Sequence, residues 1–202
     1  ISGNLKRLNT DYIDLYQIHW PQRQTNYFGQ LNYVYSKQNI NMILDNINES
    51  YETLNDLVKA GKIRTLGLSN DTSWGVMKFL EISKQKSFHK IVTVQNPYSL
   101  LNRSYEINMA EISEIENIGL LAYSPLGFGM LTGKYISKSP KNSRLSIWNR
   151  FNRYSNNNSK KATVKYVELA KKYNISPTHL ALSFVNQQPF VTSNIIGATK
   201  LT

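Results

Sequence analysis

The segment Ile63-Arg-Thr-Leu-Gly-Leu-Ser-Asn70 decides the fold class, because a mostly apolar stretch in it ends in two polar residues. A strand that is apolar along its length is typical of a parallel sheet with both faces covered. Polar residues at the carboxyl end of such a strand face a ligand in (β/α) barrels. Ser69 and Asn70 are therefore candidate ligand-binding residues.

Four other segments repeat this pattern in a fixed order, and amphipathic helical stretches separate them. They read Ile13-Asp-Leu-Tyr-Gln-Ile-His19, Ile91-Val-Thr-Val-Gln-Asn96, Leu120-Leu-Ala-Tyr-Ser124 and Val191-Thr-Ser-Asn-Ile-Ile-Gly197. The repeating strand–helix series predicts an α/β fold, and favours a (β/α) barrel enzyme over a binding module. Because composition does not change along the chain, we expect residues 1–202 to form a single domain.

Apolar residues at helical spacing place the helices between these strands. One apolar face covers residues 47–58, and Gly61 follows it as a helix-ending residue would. Met77 and Leu80 are predicted on the buried face of the next helix. The polar stretch 22–46 is predicted to be a long loop, and loops of that length are usually functional or disordered.

Length and composition limit the class of protein. Five strand–helix units are visible in 202 residues, whereas a closed barrel has eight and typically about 250 residues. We therefore expect a barrel domain that is truncated at both ends. The absence of cysteine excludes disulfides and thiolate zinc sites, and it fits a cytoplasmic protein. We expect no metal site, and no membrane span, since no apolar run reaches about 18 residues.

The net charge of +11 raises the question of a polyanionic partner such as nucleic acid. The alternative is that lysine is simply abundant on the surface. The lysines are scattered over predicted helix faces, as at Lys59, Lys78 and Lys171, and no basic stripe with interleaved aromatic residues is present. Dispersed charge of this kind is typical of a solvated surface, so we expect no nucleic-acid partner.

The polar strand ends carry the candidate chemistry. His19 could act on a substrate, by hydrogen-bonding its carbonyl or by relaying a proton, or it could be a core histidine. Its position in line with the other polar strand ends favours a role at the substrate. Ser69, Asn70 and Gln95 offer hydroxyl and amide groups, the mixed partners that a nicotinamide carboxamide needs. The alternative is that such residues only cap helices and turns.

Two later segments suit a nucleotide. The flat side chain of Tyr123 could stack on a nicotinamide ring, or it could be a core tyrosine. The turn 124–133 offers backbone N–H groups to a pyrophosphate. Its glycines lack the Gly-x-Gly-x-x-Gly spacing, which argues against a Rossmann-type dinucleotide fold. Residues 197–200 follow the last strand, where barrels often bind phosphate.

Taken together, five motifs resemble those of the aldo-keto reductases, and most closely the bacterial Tas-type branch related to the voltage-gated potassium channel β subunits. They are Tyr12-Ile-Asp-Leu-Tyr-Gln-Ile-His-Trp-Pro21, Gly61-Lys-Ile-Arg-Thr-Leu-Gly-Leu-Ser-Asn70, Val94-Gln-Asn-Pro-Tyr-Ser-Leu-Leu-Asn-Arg103, Leu121-Ala-Tyr-Ser-Pro-Leu-Gly-Phe-Gly-Met-Leu-Thr-Gly-Lys-Tyr135 and Gln188-Pro-Phe-Val-Thr-Ser-Asn-Ile-Ile-Gly-Ala-Thr199. The resemblance implies a (β/α)8 TIM barrel of which strands four to eight are present. It also implies NADP(H) bound without a Rossmann domain, and reduction of a small aldehyde or ketone.

The resemblance also implies a role for each matched residue. His19 is similar to the family's active-site histidine, and Ser69, Asn70 and Gln95 are similar to its carboxamide ligands. Tyr123 is similar to the aromatic residue that stacks on the nicotinamide, and the pyrophosphate turn is represented by Ser124, Leu126 and Gly129. Arg144 is similar to an arginine near the cofactor phosphates, and the segment that holds the adenosine 2′-phosphate would begin at Gly197, Ala198 and Thr199. The family's catalytic Asp, Tyr and Lys are expected in the first three barrel strands, before Ile1.

These residues leave three interpretations open. The first is an NADP(H)-dependent aldo-keto reductase, the second an NADP(H)-binding regulatory subunit with little turnover, and the third an inactive, truncated gene product. The physiological substrate is left open. Oligomeric state is also left open, with a homo-oligomer as one outcome.

The 202-residue chain expressed alone is predicted to show no reductase activity and no cooperative melt. Five barrel strands leave two parallel edges unpaired and an apolar interior uncovered, and the expected proton donor is absent. Near-UV circular dichroism and a reductase assay on residues 1–202 check this. A cooperative melt together with turnover would show that the expected missing strands are not required.

Overall fold

A computed structural model describes residues 1–26, 28, 30, 32–137, 139–148 and 151–197. It divides into two compact units. The first unit consists of residues Ile1–Gln95 and Glu111–Gly119, and the second of Asn96–Ala110 and Leu120–Thr202, so far as these are described. In each unit, α/β structure with parallel strands follows the order of the chain, as the sequence predicts.

The first unit is built around three strands that pair in parallel. Its elements are α1 (Ser2–Leu8), β1 (Ile13–Ile18), α2 (Ile40–Lys59), β2 (Ile63–Ser69), α3 (Ser73–Lys86), most of β3 (Ile91–Pro97) and the end of α4 (Tyr105–Glu116). β1 pairs with β2 from Ile13↔Ile63 to Ile18↔Leu68. β2 pairs with β3 from Leu66↔Ile91 to Ser69↔Gln95. Because the register is parallel, the carboxyl ends of all three strands lie at one edge of this unit.

The core of the first unit forms between its strands and helices. Tyr51 on α2 is fully buried, and its hydroxyl donates to the carbonyl of His89 at 2.7 Å. Its ring lies against Phe79 and Phe88, with centroids 5.1 and 5.4 Å away. This helix begins at Ile40, earlier than predicted, since the Asn39 side chain caps it. The long loop predicted over 22–46 therefore ends at residue 39.

The buried face of α3 differs from the prediction at one position. Leu80 is buried as predicted, together with Val76 and Phe79. Met77 is 41% exposed, so its predicted burial is wrong. Positions 76, 79 and 80 form one face of a helix with 3.6 residues per turn, and position 77 lies to the side of that face.

The second unit contains the remaining strands and most of the later helices. Its elements are β4 (Gly119–Tyr123), a 3₁₀ helix (Gly127–Thr132), α5 (Arg144–Ile147), α6 (Asn157–Lys172), α7 (Pro177–Asn186) and β5 (Val191–Ile195). β4 and β5 pair in parallel from Leu120↔Val191 to Tyr123↔Ile195. At the start of α7, the Ser176 side chain caps the His179 N–H and Pro177 occupies the first turn.

None of the helices in the described ranges combines the length and the apolar character that crossing a bilayer requires.

Gly67 in β2 is predicted to tolerate no larger side chain. A Cβ at this position would meet Thr93 Oγ1 on the neighbouring strand and would lie 3.1 Å from Gln17 Cγ. In the intact protein, we expect Gly67→Ala to lower the free energy of unfolding by about 1–3 kcal/mol, the usual effect of overpacking. Urea denaturation measures this change.

Gly3→Ala is the matched control, because a Cβ there meets only Arg7 Nη1, at 3.4 Å. Alanine is the better helix former, so this variant is expected to lose no stability. Equal behaviour of the two variants would contradict the close packing between β2 and β3.

Candidate active site

Four predicted site residues meet at the carboxyl edge of the first unit. His19 directly follows β1, Ser69 ends β2, and Gln95 lies near the end of β3. Asn70 links them: its backbone N–H donates to the Gln95 carbonyl at 3.0 Å, and its Nδ2 donates to the His19 carbonyl at 3.0 Å. The Ser69 hydroxyl donates to the same Gln95 carbonyl at 3.1 Å. These contacts bring the ends of three strands together.

Asn70 has a left-handed backbone conformation, with φ of 55°. Asparagine adopts this region more readily than most residues, so the sharp turn after β2 suits it. Nδ2 also donates to Ser69 Oγ, at 3.2 Å. The two hydrogens on Nδ2 are thus both used within the protein. Nδ2 therefore has no hydrogen left to donate to a ligand.

His19 is exposed, and its ring lies against the aromatic ring of Trp20. Its imidazole stacks on Trp20 with ring centroids 5.0 Å apart, and Trp20 meets Phe28 edge to face at 5.4 Å. The backbone of His19 is held by Asn70 while its ring stays accessible. A histidine in this position can hydrogen-bond a small polar molecule that lies beside an apolar surface.

In the second unit, Tyr123 ends β4 and is half-buried. Burial raises the pKa of its hydroxyl to about 12, although a hydrogen bond from the Arg153 guanidinium opposes this rise. The ring is therefore neutral at physiological pH. A general acid works best when its pKa lies near the working pH, so Tyr123 suits stacking better than proton transfer.

Tyr98 is also a poor acid. It is fully buried, and its hydroxyl donates to Glu106 Oε1 at 2.5 Å. Burial and the Glu106 carboxylate both raise the pKa of this tyrosine well above its usual range. Tyr98 is therefore not suited to act as a proton donor.

The turn after β4 is wound tightly by residues with positive φ. Ser124, Gly127, Phe128 and Gly129 have φ values of 56°, 54°, 56° and 92°. The N–H groups of Gly127 and Gly129 donate inside the turn, to the carbonyls of Ser124 and Leu126, each at 2.9 Å. The sequence analysis predicted that the N–H groups of this turn are available to bind a pyrophosphate. For Gly127 and Gly129 this prediction is wrong, because their N–H groups already donate hydrogen bonds within the turn.

Cationic side chains lie around this turn. The Arg144 guanidinium is 5.8 Å from the Phe128 ring and 5.2 Å from the Phe151 ring, and its side chain is exposed. Lys134 lies beside Gly129, where an added Cβ would be 3.1 Å from Lys134 Cε and 3.3 Å from Nζ. These two cations make the turn suitable for an anion.

Lys134 and Arg153 were not identified from the sequence. Lys134 could have been identified, because it is a basic residue directly after the glycine-rich turn, in Gly133-Lys134. Arg153 comes close to Tyr123 only through the fold of the chain. Gly197 is exposed just beyond β5. Ala198 and Thr199 lie outside the described residues.

The fold and the polar strand ends define an α/β protein of the TIM-barrel class. This chain contains part of such a barrel. A profile of the Aldo/keto reductase family matches residues 1–202. The chain belongs to this family. The fold class predicted from the sequence is thereby confirmed.

Three relatives show how the chain compares. It is 47% identical over 204 residues to "Protein tas" of Escherichia coli K12, covering 100% of this chain and 58% of that protein. It is 38% identical over 210 residues to an "Aldo-keto reductase" of Babesia bovis, covering 98% and 73%. It is 31% identical over 202 residues to "Uncharacterized oxidoreductase YrpG" of Bacillus subtilis, covering 98% and 53%. The first of these supports the predicted Tas-type branch.

Proposed function

We propose that the intact protein is an NADP(H)-dependent oxidoreductase that reduces a small aldehyde or ketone to an alcohol. The observation that carries the proposal is the hydrogen-bonded set of Ser69, Asn70 and Gln95 at the carboxyl edge of a parallel sheet, in a chain of the aldo/keto reductase family. Ligands bind at this edge in α/β proteins.

The chemistry of this set fits a nicotinamide carboxamide. The side-chain Oδ1 of Asn70 is an acceptor, the kind of partner that the carboxamide NH₂ group needs. Gln95 carries both an acceptor and a donor, so it can serve the carboxamide carbonyl. A carboxamide needs both kinds of partner, and the strand ends of the first unit offer both.

The turn of the second unit suits the phosphates of a nucleotide cofactor. The turn 124–133 carries Lys134 and Arg144 beside it, and cations of this kind stabilise bound phosphate. Glycine at position 129 keeps its φ of 92° without strain and leaves room beside Lys134. The neutral ring of Tyr123 offers a flat surface for stacking. When bound, NADPH supplies the hydride for carbonyl reduction.

The role of His19 in this proposal is to orient the substrate oxygen. Its exposed imidazole can donate a hydrogen bond to a carbonyl and so stabilise the negative charge that develops there. Its neighbours Trp20 and Phe28 present apolar surface to the rest of the substrate. Tyr98 and Tyr123 are both poor acids, so we assign the proton transfer to neither of them.

The intact protein is expected to bind NADPH more tightly than NADH, because a charge-assisted contact to the 2′-phosphate is stronger than a neutral hydrogen bond. Arg144→Gln is expected to weaken NADPH binding, since it removes a cation beside the turn. Fluorescence titration with both cofactors measures the two dissociation constants.

The control for this titration is Arg64→Gln, which removes an equally exposed arginine from β2 at the end remote from the polar strand ends. It is expected to leave both dissociation constants unchanged. Equal affinities for the two cofactors, or a preference for NADH, would contradict the proposed phosphate site.

His19→Ala is expected to lower kcat for carbonyl reduction about tenfold or more, the lower range for positioned acid–base and electrostatic groups. The dissociation constant for NADPH is expected to stay nearly unchanged, because His19 faces the substrate in this proposal. Steady-state kinetics and cofactor titration on the same preparation measure both quantities.

His179→Ala is the control, since His179 is exposed in the first turn of α7 and is not among the proposed site residues. Unchanged turnover in His19→Ala, with weaker NADPH binding, would place His19 at the cofactor instead of the substrate. Cofactor binding by the wild type without turnover on any carbonyl would favour the regulatory-subunit interpretation.

A further inference from the structure

A buried ion pair joins Arg23 to Asp71 in the first unit. The side chains are only 6% and 3% exposed, and Arg23 Nη2 donates to Asp71 Oδ1. Arg23 lies in the segment that leaves β1, four residues after His19, and Asp71 directly follows Asn70. The pair therefore links the two chain segments that carry His19 and Asn70.

Additional contacts stabilise both charges. Asp71 Oδ1 accepts from the Thr72 N–H at 2.7 Å, at the start of α3. Arg23 Nη2 also donates to Thr72 Oγ1 at 3.1 Å, and its guanidinium lies 5.0 Å from the centre of the Trp74 ring. Burial raises the pKa of Asp71, and the Arg23 charge and the Thr72 N–H oppose that rise. Removing Arg23 would leave a buried carboxylate without its main counter-charge.

Gly75 shows that α3 is built around this pair. A Cβ at position 75 would collide with Arg23 Nη2 and with Asp71 Oδ1. Glycine inside a helix is less favourable than alanine, because it loses more conformational freedom on folding. The helix carries this residue where any side chain would displace the ion pair.

We propose that Arg23 and Asp71 are positioning residues for His19 and Asn70. The Asn70 side chain holds the His19 carbonyl at 3.0 Å, and the ion pair clamps the same two segments a few residues further along. Both segments are thus fixed at two points, which sets the direction of the His19 ring. The inference rests on the proposed reductase function, since the effect of misplacing His19 is measured as a change in kcat.

The test uses Arg23→Met and Asp71→Asn in the full-length protein. In each variant kcat per folded molecule is expected to fall about tenfold or more, because misplacing a reacting group by about 1 Å can cost roughly 100-fold. KM for the carbonyl substrate is expected to change less than kcat. Arg64→Met is the matched control: it breaks an ion pair with Asp14 that also joins β1 and β2, but whose side chains are 60% and 74% exposed. It is expected to leave kcat unchanged.

Two further variants separate positioning from stability. Gly75→Ala keeps both charges but displaces them, and it is expected to lower kcat as the single variants do. Arg23→Met/Asp71→Leu replaces the pair by apolar side chains, a change that often restores stability in buried sites. This double variant is expected to regain the wild-type Tm but not the wild-type kcat.

The proposal would be overturned if the double variant recovered kcat together with Tm. It would also be overturned if both single variants kept the wild-type kcat per folded molecule. A wild type that shows no NADPH-dependent turnover would overturn the proposed function instead. In that case amide hydrogen exchange decides the structural claim. Faster exchange in residues 20–26 and 70–73 of Arg23→Met than of Arg64→Met would support positioning, and equal exchange would overturn it.

Discussion

The hydrogen bonds of Asn70 hold the candidate site together. From one residue just past β2, a backbone N–H reaches the Gln95 carbonyl on one neighbouring strand, and a side-chain amide reaches the His19 carbonyl after the other. The left-handed φ of 55° makes both contacts available at once. Buried polar groups need such partners, because each one left unpaired costs about 1–3 kcal/mol. The orientation of three strand ends therefore depends on the conformation of this asparagine.

The charges of this chain fall into two kinds with different consequences. Pairs such as Lys59–Asp56 are exposed on a helix surface, and pairs of this kind contribute little to stability. This fits the expectation that scattered lysines form a solvated surface. The Arg23–Asp71 pair is buried, so its position is determined by packing. Net charge alone does not distinguish the two kinds.

The errors of the sequence analysis have definite physical causes. α2 begins at Ile40 because Asn39 caps it; Ile40 and Met42 in its first turn are apolar but exposed, so they do not belong to the buried face. Met77 was predicted on the buried face because Leu80, three residues later, is apolar, but the face is centred on Val76 and Phe79 instead. An apolar side chain is not excluded from the surface, so residue type alone cannot decide the phase of a short helix.

The sequence by itself determined the class of fold, the order of the strands and which polar residues follow them. β2 is predicted within the segment 63–70 and observed over Ile63–Ser69, because an apolar run that ends in polar residues is a local signal. His19, Ser69 and Asn70 were identified for the same reason. Only the tertiary structure decided that Arg23 pairs with Asp71, 48 residues away. Such pairings depend on strand register and helix packing, which bring together residues that no local periodicity relates.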